Sequence, residues 1–148
     1  MPTVNPVDLC IDRIAHFRSK ADHNKRESLA FFATVIVCTL SAPLFITLGS
    51  TELLSKILPA ILSTTAAGAT AWLQQRKPQQ LWSLYRSAER QLEFHLQRYQ
   101  LQAGEYADAT NPERLLAEHA TEIVLLTHEG WSGLVPQVQA NTPTPKTK

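Results

Sequence analysis

The sequence predicts an all-α membrane protein: a two-helix transmembrane hairpin, preceded by an N-terminal amphipathic helix and followed by a cytoplasmic antiparallel helix pair. Three observations carry this. No charged residue occurs between Glu27 and Glu52, and the enclosed run Leu29 to Leu48 supplies the roughly 20 mostly apolar residues that a helix needs to cross a bilayer. A second uncharged stretch extends from Ile57 to Gln75, between Lys56 and Arg76. Basic residues gather outside both stretches: Arg13, Arg18, Lys20, Lys25 and Arg26 precede the first, and Arg76, Lys77, Arg86 and Arg90 follow the second. By the positive-inside rule both termini are then cytoplasmic.

A soluble bundle with two buried helices would share the 44% hydrophobic composition. A soluble helix, however, rarely lacks charge on every face for more than about 18 residues. A cleaved signal peptide is disfavoured, because a polar segment ending at Glu27 precedes an apolar run too long for an h-region. The 148 residues suit one domain, over 1–136, with a Pro/Thr-rich tail over 137–148 that is expected to be disordered. Once the hairpin is subtracted, the polar remainder is too small for an ordinary enzyme core. A net charge of +1 offers no nucleic-acid footprint. Cys10 lies in the polar arm and Cys38 in mid-span, so the two are read as unpaired, reduced thiols.

In chain order, Asn5-Pro6-Val7-Asp8 places a capping side chain, a proline at the first helical position and an acid in the first turn. Val7, Cys10, Ile14, Phe17 and Ala21 mark one apolar face of a solvated surface helix, which is expected to break around Asp22-His23-Asn24 before entering the bilayer. The spans are expected at about 28–50 and 54–75, joined by a tight connection over Gly49 to Ser55 with Lys56 snorkelling to the headgroups. Pro43 and Pro59 fall inside them and predict kinks. On the second span Ala60, Ser63, Thr64, Ala67, Gly68 and Ala71 recur at small-xxx-small spacings. Such a face lets backbones approach, and it serves packing on the first span, self-association or a pore lining.

After Pro78, the stripe Leu81, Tyr85, Ala88, Leu92, Leu96 and Tyr99 predicts a helix over 79–103, ended by Gly104. Thr110-Asn-Pro-Glu113 has the spacing of a capping box and starts a helix over 111–130, with Leu115, Leu116, His119, Ile123 and Leu126 on its apolar face. Arg86 and Glu89 are spaced to pair along one helix, and Glu129 is placed to meet Arg86 or Arg90 from the facing one. Such a set is a salt bridge fixing the pair, or a switch. Trp72 and Trp82 suit the membrane interface; Tyr85, Tyr99 and Trp131 suit the core of the pair.

No catalytic site, cofactor or metal is expected. Glu93-Phe-His95 and His119-Ala-Thr-Glu122 lack the paired Glu-x-x-His of a di-metal bundle. There is no Gly-rich phosphate loop and no nucleophile elbow.

The block Trp82-Ser-Leu-Tyr85-Arg86-Ser-Ala88-Glu89-Arg-Gln-Leu92-Glu93 follows directly on the hairpin, and Tyr99, Gly104, Tyr106 and a closing Glu129-Gly-Trp131 come after it. This combination resembles the SLATT proteins, bacterial two-transmembrane domains with a cytoplasmic helical extension. The resemblance implies an effector of a bacterial antiviral defence system in the inner membrane, a homo-oligomer that forms a pore or disrupts the bilayer. No sensor or nucleotide-making domain is appended here, so it also implies a separate sensor or nucleotide-signal-producing protein as partner. The alternative from the residues themselves is a membrane-anchored adaptor whose helix pair recruits a partner.

Overall fold

Helix α1, Pro6–Leu48, is one uninterrupted helix of 43 residues, about 65 Å long. The computed structural model describes residues 5–134; the tail expected over 137–148 lies outside the described residues. Asn5 caps α1 through its side chain, which accepts from the Val7 amide at 3.0 Å, and Pro6 sits at the first helical position. The break expected at Asp22-His23-Asn24 does not occur. Asn24 turns its amide back onto the Lys20 carbonyl at 2.8 Å, Asp22 meets Arg86 at 3.4 Å and His23 lies 3.9 Å from Glu27. Each polar side chain therefore has a partner compatible with helical backbone, and the polar arm and the first apolar run share one axis.

The connection after α1 is tighter than expected. A Cβ on Gly49 would stand 2.5 Å from the Phe45 carbonyl and 2.9 Å from the Ser55 amide nitrogen, so only glycine lets the chain reverse here. A π-helical turn, Leu53–Ile57, leads into α2, Leu58–Arg76. Pro59 follows directly on this π-helical turn, in the first turn of α2, so its missing donor falls where the helical ladder is already irregular. Pro43 does lie inside α1. Both α1 and the segment beginning at Leu53 contain an apolar window long enough to cross a membrane.

Lys77 alone separates α2 from α3, Pro78–Gln100, and adopts a left-handed conformation (φ 48°). Both helices run back along α1, α2 against its apolar half and α3 against its polar half. Helix α3 ends in a Schellman turn: the Ala103 amide bonds to the Arg98 carbonyl and the Gln102 amide to the Tyr99 carbonyl. The left-handed residue that closes it is Gln102 (φ 48°). Gly104 (φ 63°) instead opens a short 3-10 turn, Gly104–Tyr106. Helix α4, Pro112–Leu134, is capped by Asn111, whose side chain accepts from the Arg114 amide at 3.0 Å, so the capping-box register from Thr110 is off by one residue.

The helix pair expected at the polar end is in fact three helices. Cys10, Ile14 and Phe17 of α1, Ala88 and Leu92 of α3, and Leu116, Ala120 and Ile123 of α4 form one core, closed by Tyr106. The apolar face of the first 16 or so residues of α1 is thus buried in protein rather than resting on solvent or lipid. Burial of Leu92 and Leu116, both fully enclosed, is worth about 1.5–3 kcal/mol each. No strand occurs among the described residues.

Candidate functional site: the seam between spans and bundle

Glu89 is the centre of an ion-paired seam between α1 and α3. Its side chain is 2% exposed, and both carboxylate oxygens are engaged: Arg18 Nε donates to Oε1 and Arg86 Nη1 to Oε2, each at 2.7 Å. Burial by itself pushes this carboxyl up, but the hydrogen bonds and charges of Arg18 and Arg86 outweigh it and hold the group below the usual carboxylate range. Its hydrogen bond and charge push the Arg18 guanidinium the other way, upward. Arg18 also donates through Nη2 to Glu93 at 2.7 Å, and Arg86 reaches Asp22 of α1 at 3.4 Å. The network joins α1, which runs on into the apolar half of the molecule, to α3, which follows directly on α2.

One or two turns further along α1, Glu27 clasps α2. It is the last charge before the apolar run, and its Oε1 accepts from Trp72 Nε1 at 3.0 Å and forms an ion pair with Arg76, whose Nε lies 3.3 Å away. Trp72 stacks on Phe31 of α1 at 6.0 Å, with the Arg76 guanidinium 5.7 Å from its ring centre. An indole that buries its body against an apolar side chain and its N–H on a carboxylate is suited to the border between lipid and water. Trp82 lies beneath Lys25, whose ammonium is 5.8 Å from the ring centre.

Of the residues the sequence singles out, Arg86 and Glu89 come together. Glu129 does not join them: it is exposed on α4 and forms no ion pair among the described residues. Its place is taken by Arg18, which sequence spacing could not nominate because the partner lies on a distant helix. Trp131 is 38% exposed and stacks on His128 at 5.8 Å, at the edge of a groove with Phe17 and Tyr85, and so is not a core residue. Tyr85 stacks on Phe17, and Tyr99 meets Tyr106 edge-on. Ala60, Ser63, Thr64, Ala67, Gly68 and Ala71 are all exposed; α1 is met by another side of α2, which buries Pro59 and Ala69. The structure also brings His95 and His119, on different helices, together with Glu105, a grouping invisible in local spacing.

Comparison with known families returns a two-transmembrane domain. The model of the SMODS and SLOG-associating 2TM effector domain 1 matches residues 10–138. No curated protein and no solved structure gives a significant match. The match begins in the polar arm, takes in both apolar stretches and extends past α4, so most of the chain is accounted for by a single model. The chain belongs to the SLATT family, and is a membrane protein of the two-transmembrane effector class.

Proposed function

We propose that this chain is an oligomeric, gated effector of a bacterial defence system, in which hairpins from several copies associate through α2 to form a pore or disrupt the inner membrane. Both termini are cytoplasmic in this reading, and a separate sensor or nucleotide-signal-producing protein acts on the polar bundle. The observation that supports it is the exposed face of Ala60, Ser63, Thr64, Ala67, Gly68 and Ala71, left open because α1 packs elsewhere on α2. Within lipid, helices gain little from hydrophobic burial, and close approach across small residues is what favours their association. Thr64 and Thr70 donate their hydroxyls to the Ala60 and Ala66 carbonyls at 2.9 and 2.8 Å. Their protons are thereby satisfied within the helix, and the oxygens remain acceptors for a neighbouring helix or for water.

Gly68→Leu tests the reading. A Cβ at Gly68 meets nothing within 4 Å, so leucine fits the single chain, while in an oligomer it holds neighbouring helices apart. Cross-linked oligomers and dye leakage should both fall, with membrane-fraction abundance unchanged. Oligomers and leakage at wild-type level would reject it.

A membrane-anchored adaptor is the second reading, favoured by Leu125 and Leu126, which are 59% and 56% exposed on α4 at the polar end. It takes precedence if Gly68→Leu is silent and Leu125→Glu abolishes the biological response.

A further inference from the structure

We propose that His95, Glu105 and His119 form a binding site for a divalent transition metal of the zinc class, fastening the α3–α4 connection. One donor atom from each lies within 4.8 Å of the others. Glu105 sits between the imidazoles, with Oε1 3.6 Å from His95 Nδ1 and Oε2 3.4 Å from His119 Nε2. In a tetrahedral zinc site with bonds of about 2.0–2.1 Å, neighbouring donor atoms stand about 3.3 Å apart. The carboxylate is therefore already close to ligand spacing from both rings. Two imidazoles and a carboxylate form a donor set that zinc accepts, with a fourth position for water.

Two features orient the donors. The other nitrogen of His119, Nδ1, lies 3.8 Å from Glu122 Oε2. With Nε2 on a metal, the proton sits on Nδ1 and faces this carboxylate, as in the second shell of many metal-bound histidines. Nε2 is buried and has no hydrogen-bond partner. Glu105 is steadied by Arg98 Nη1 at 3.6 Å. That guanidinium also opposes a bound cation, so the site should be weaker than a four-ligand structural zinc site. The rings stack at 4.3 Å between centroids, and the Tyr106 hydroxyl, 3.2 Å from His95 Nδ1, can donate to it. A metal takes that lone pair in its place.

The site falls where the fold gains most from a fastener. The three donors come from the last turns of α3, the 3-10 turn and the second turn of α4, at the end of the α3–α4 contact where Tyr106 closes the shared core. An ion would add a coordinate tie between α3 and α4 to the stacked pair of rings.

The test uses full-length protein in detergent, freed of metal with a chelator and titrated with Zn²⁺ by calorimetry and with Co²⁺ by absorption. One ion should bind per chain, and His95→Ala and His119→Ala should each weaken binding by roughly tenfold or more. Glu105→Gln, on an exposed turn, should also weaken binding and keep the wild-type circular dichroism, which makes it decisive if a histidine variant fails to fold. His16→Ala, at an exposed position of α1, should bind like wild type. Absence of stoichiometric binding, or binding that survives the His95, His119 and Glu105 changes, would overturn the site and leave the two histidines as an aromatic stack.

Discussion

Arg18 and Glu89 are 71 positions apart, and their side chains meet at 2.7 Å across α1 and α3. The contact sets the register of these antiparallel helices, since sliding either by one residue would part Glu89 from Arg18 and Arg86 from Asp22, while the Arg86–Glu89 pair, within α3, would move as a unit. Register at this point is inherited by the apolar segments, because α1 is continuous and α3 follows α2 after a single residue.

Acid should weaken the seam. Glu89 has a lower proton affinity folded than unfolded, so in the acid range the unfolded chain binds more protons and stability rises with pH. The contribution of Glu89 is complete above the ordinary carboxylate value, about 4.3, and is lost as pH falls through the depressed folded value. Thermal unfolding in detergent followed by circular dichroism should show a midpoint that falls on acidification in wild type and depends less on pH in Glu89→Gln. Parallel curves would place the acid sensitivity elsewhere.

Glu89→Ala should change growth arrest or dye leakage on overexpression and leave membrane-fraction abundance near wild type. The cost of removing the carboxylate is on the order of 1–3 kcal/mol, too little to expel a two-span hairpin. Arrest and leakage identical to wild type would show that the seam is structural and does not gate.

Topology is checked by single cysteines in a chain lacking Cys10 and Cys38. Glu52→Cys should label from outside intact cells, and Thr142→Cys only after permeabilisation. The reverse pattern would invert the orientation proposed from the basic residues.

The hairpin was legible because absence of charge over a long run is a property of the sequence itself, as are the Asn5 cap and the Arg86/Glu89 spacing. What escaped were features that depend on a partner. Asp22, His23 and Asn24 look like a break until Arg86, Glu27 and the Lys20 carbonyl engage them. Arg18 looked like one more solvated charge until α3 lay beside it. Cys10, Ile14 and Phe17 had the period of a buried face, but a period does not name what covers it. His95 and His119 meet only because the surrounding apolar residues bring α3 and α4 together. At Gln102 and Asn111 the misreading was local: turn chemistry tolerates a one- or two-residue shift, and the more familiar Gly104 and Thr110 drew the boundary toward themselves.

The Schellman turn offers a stabilising change. Gln102 holds a left-handed conformation that disfavours any residue with a Cβ, so Gln102→Gly should raise stability by about 0.5–1 kcal/mol, the relief of backbone strain exceeding the added unfolded-state entropy. A lowered unfolding midpoint would mean that the Gln102 side chain contributes more than its backbone costs.

Because α1 runs unbroken from the buried Cys10 to the far end of the first apolar stretch, it behaves as a rigid beam supported near Glu27. A tilt of about 5° around the middle of a helix this long carries each tip about 3 Å, in opposite directions. The returning arm of the hairpin has a joint at Lys77, and the outgoing one is a single helix with Pro43 in its apolar part. A push on the bundle would therefore pass along α1 into the first apolar stretch at least as far as Pro43, while the joint at Lys77 lets α2 take a different angle. The two spans would answer the same push by shearing past each other, and the helix with the joint is the one that carries the open small-residue face.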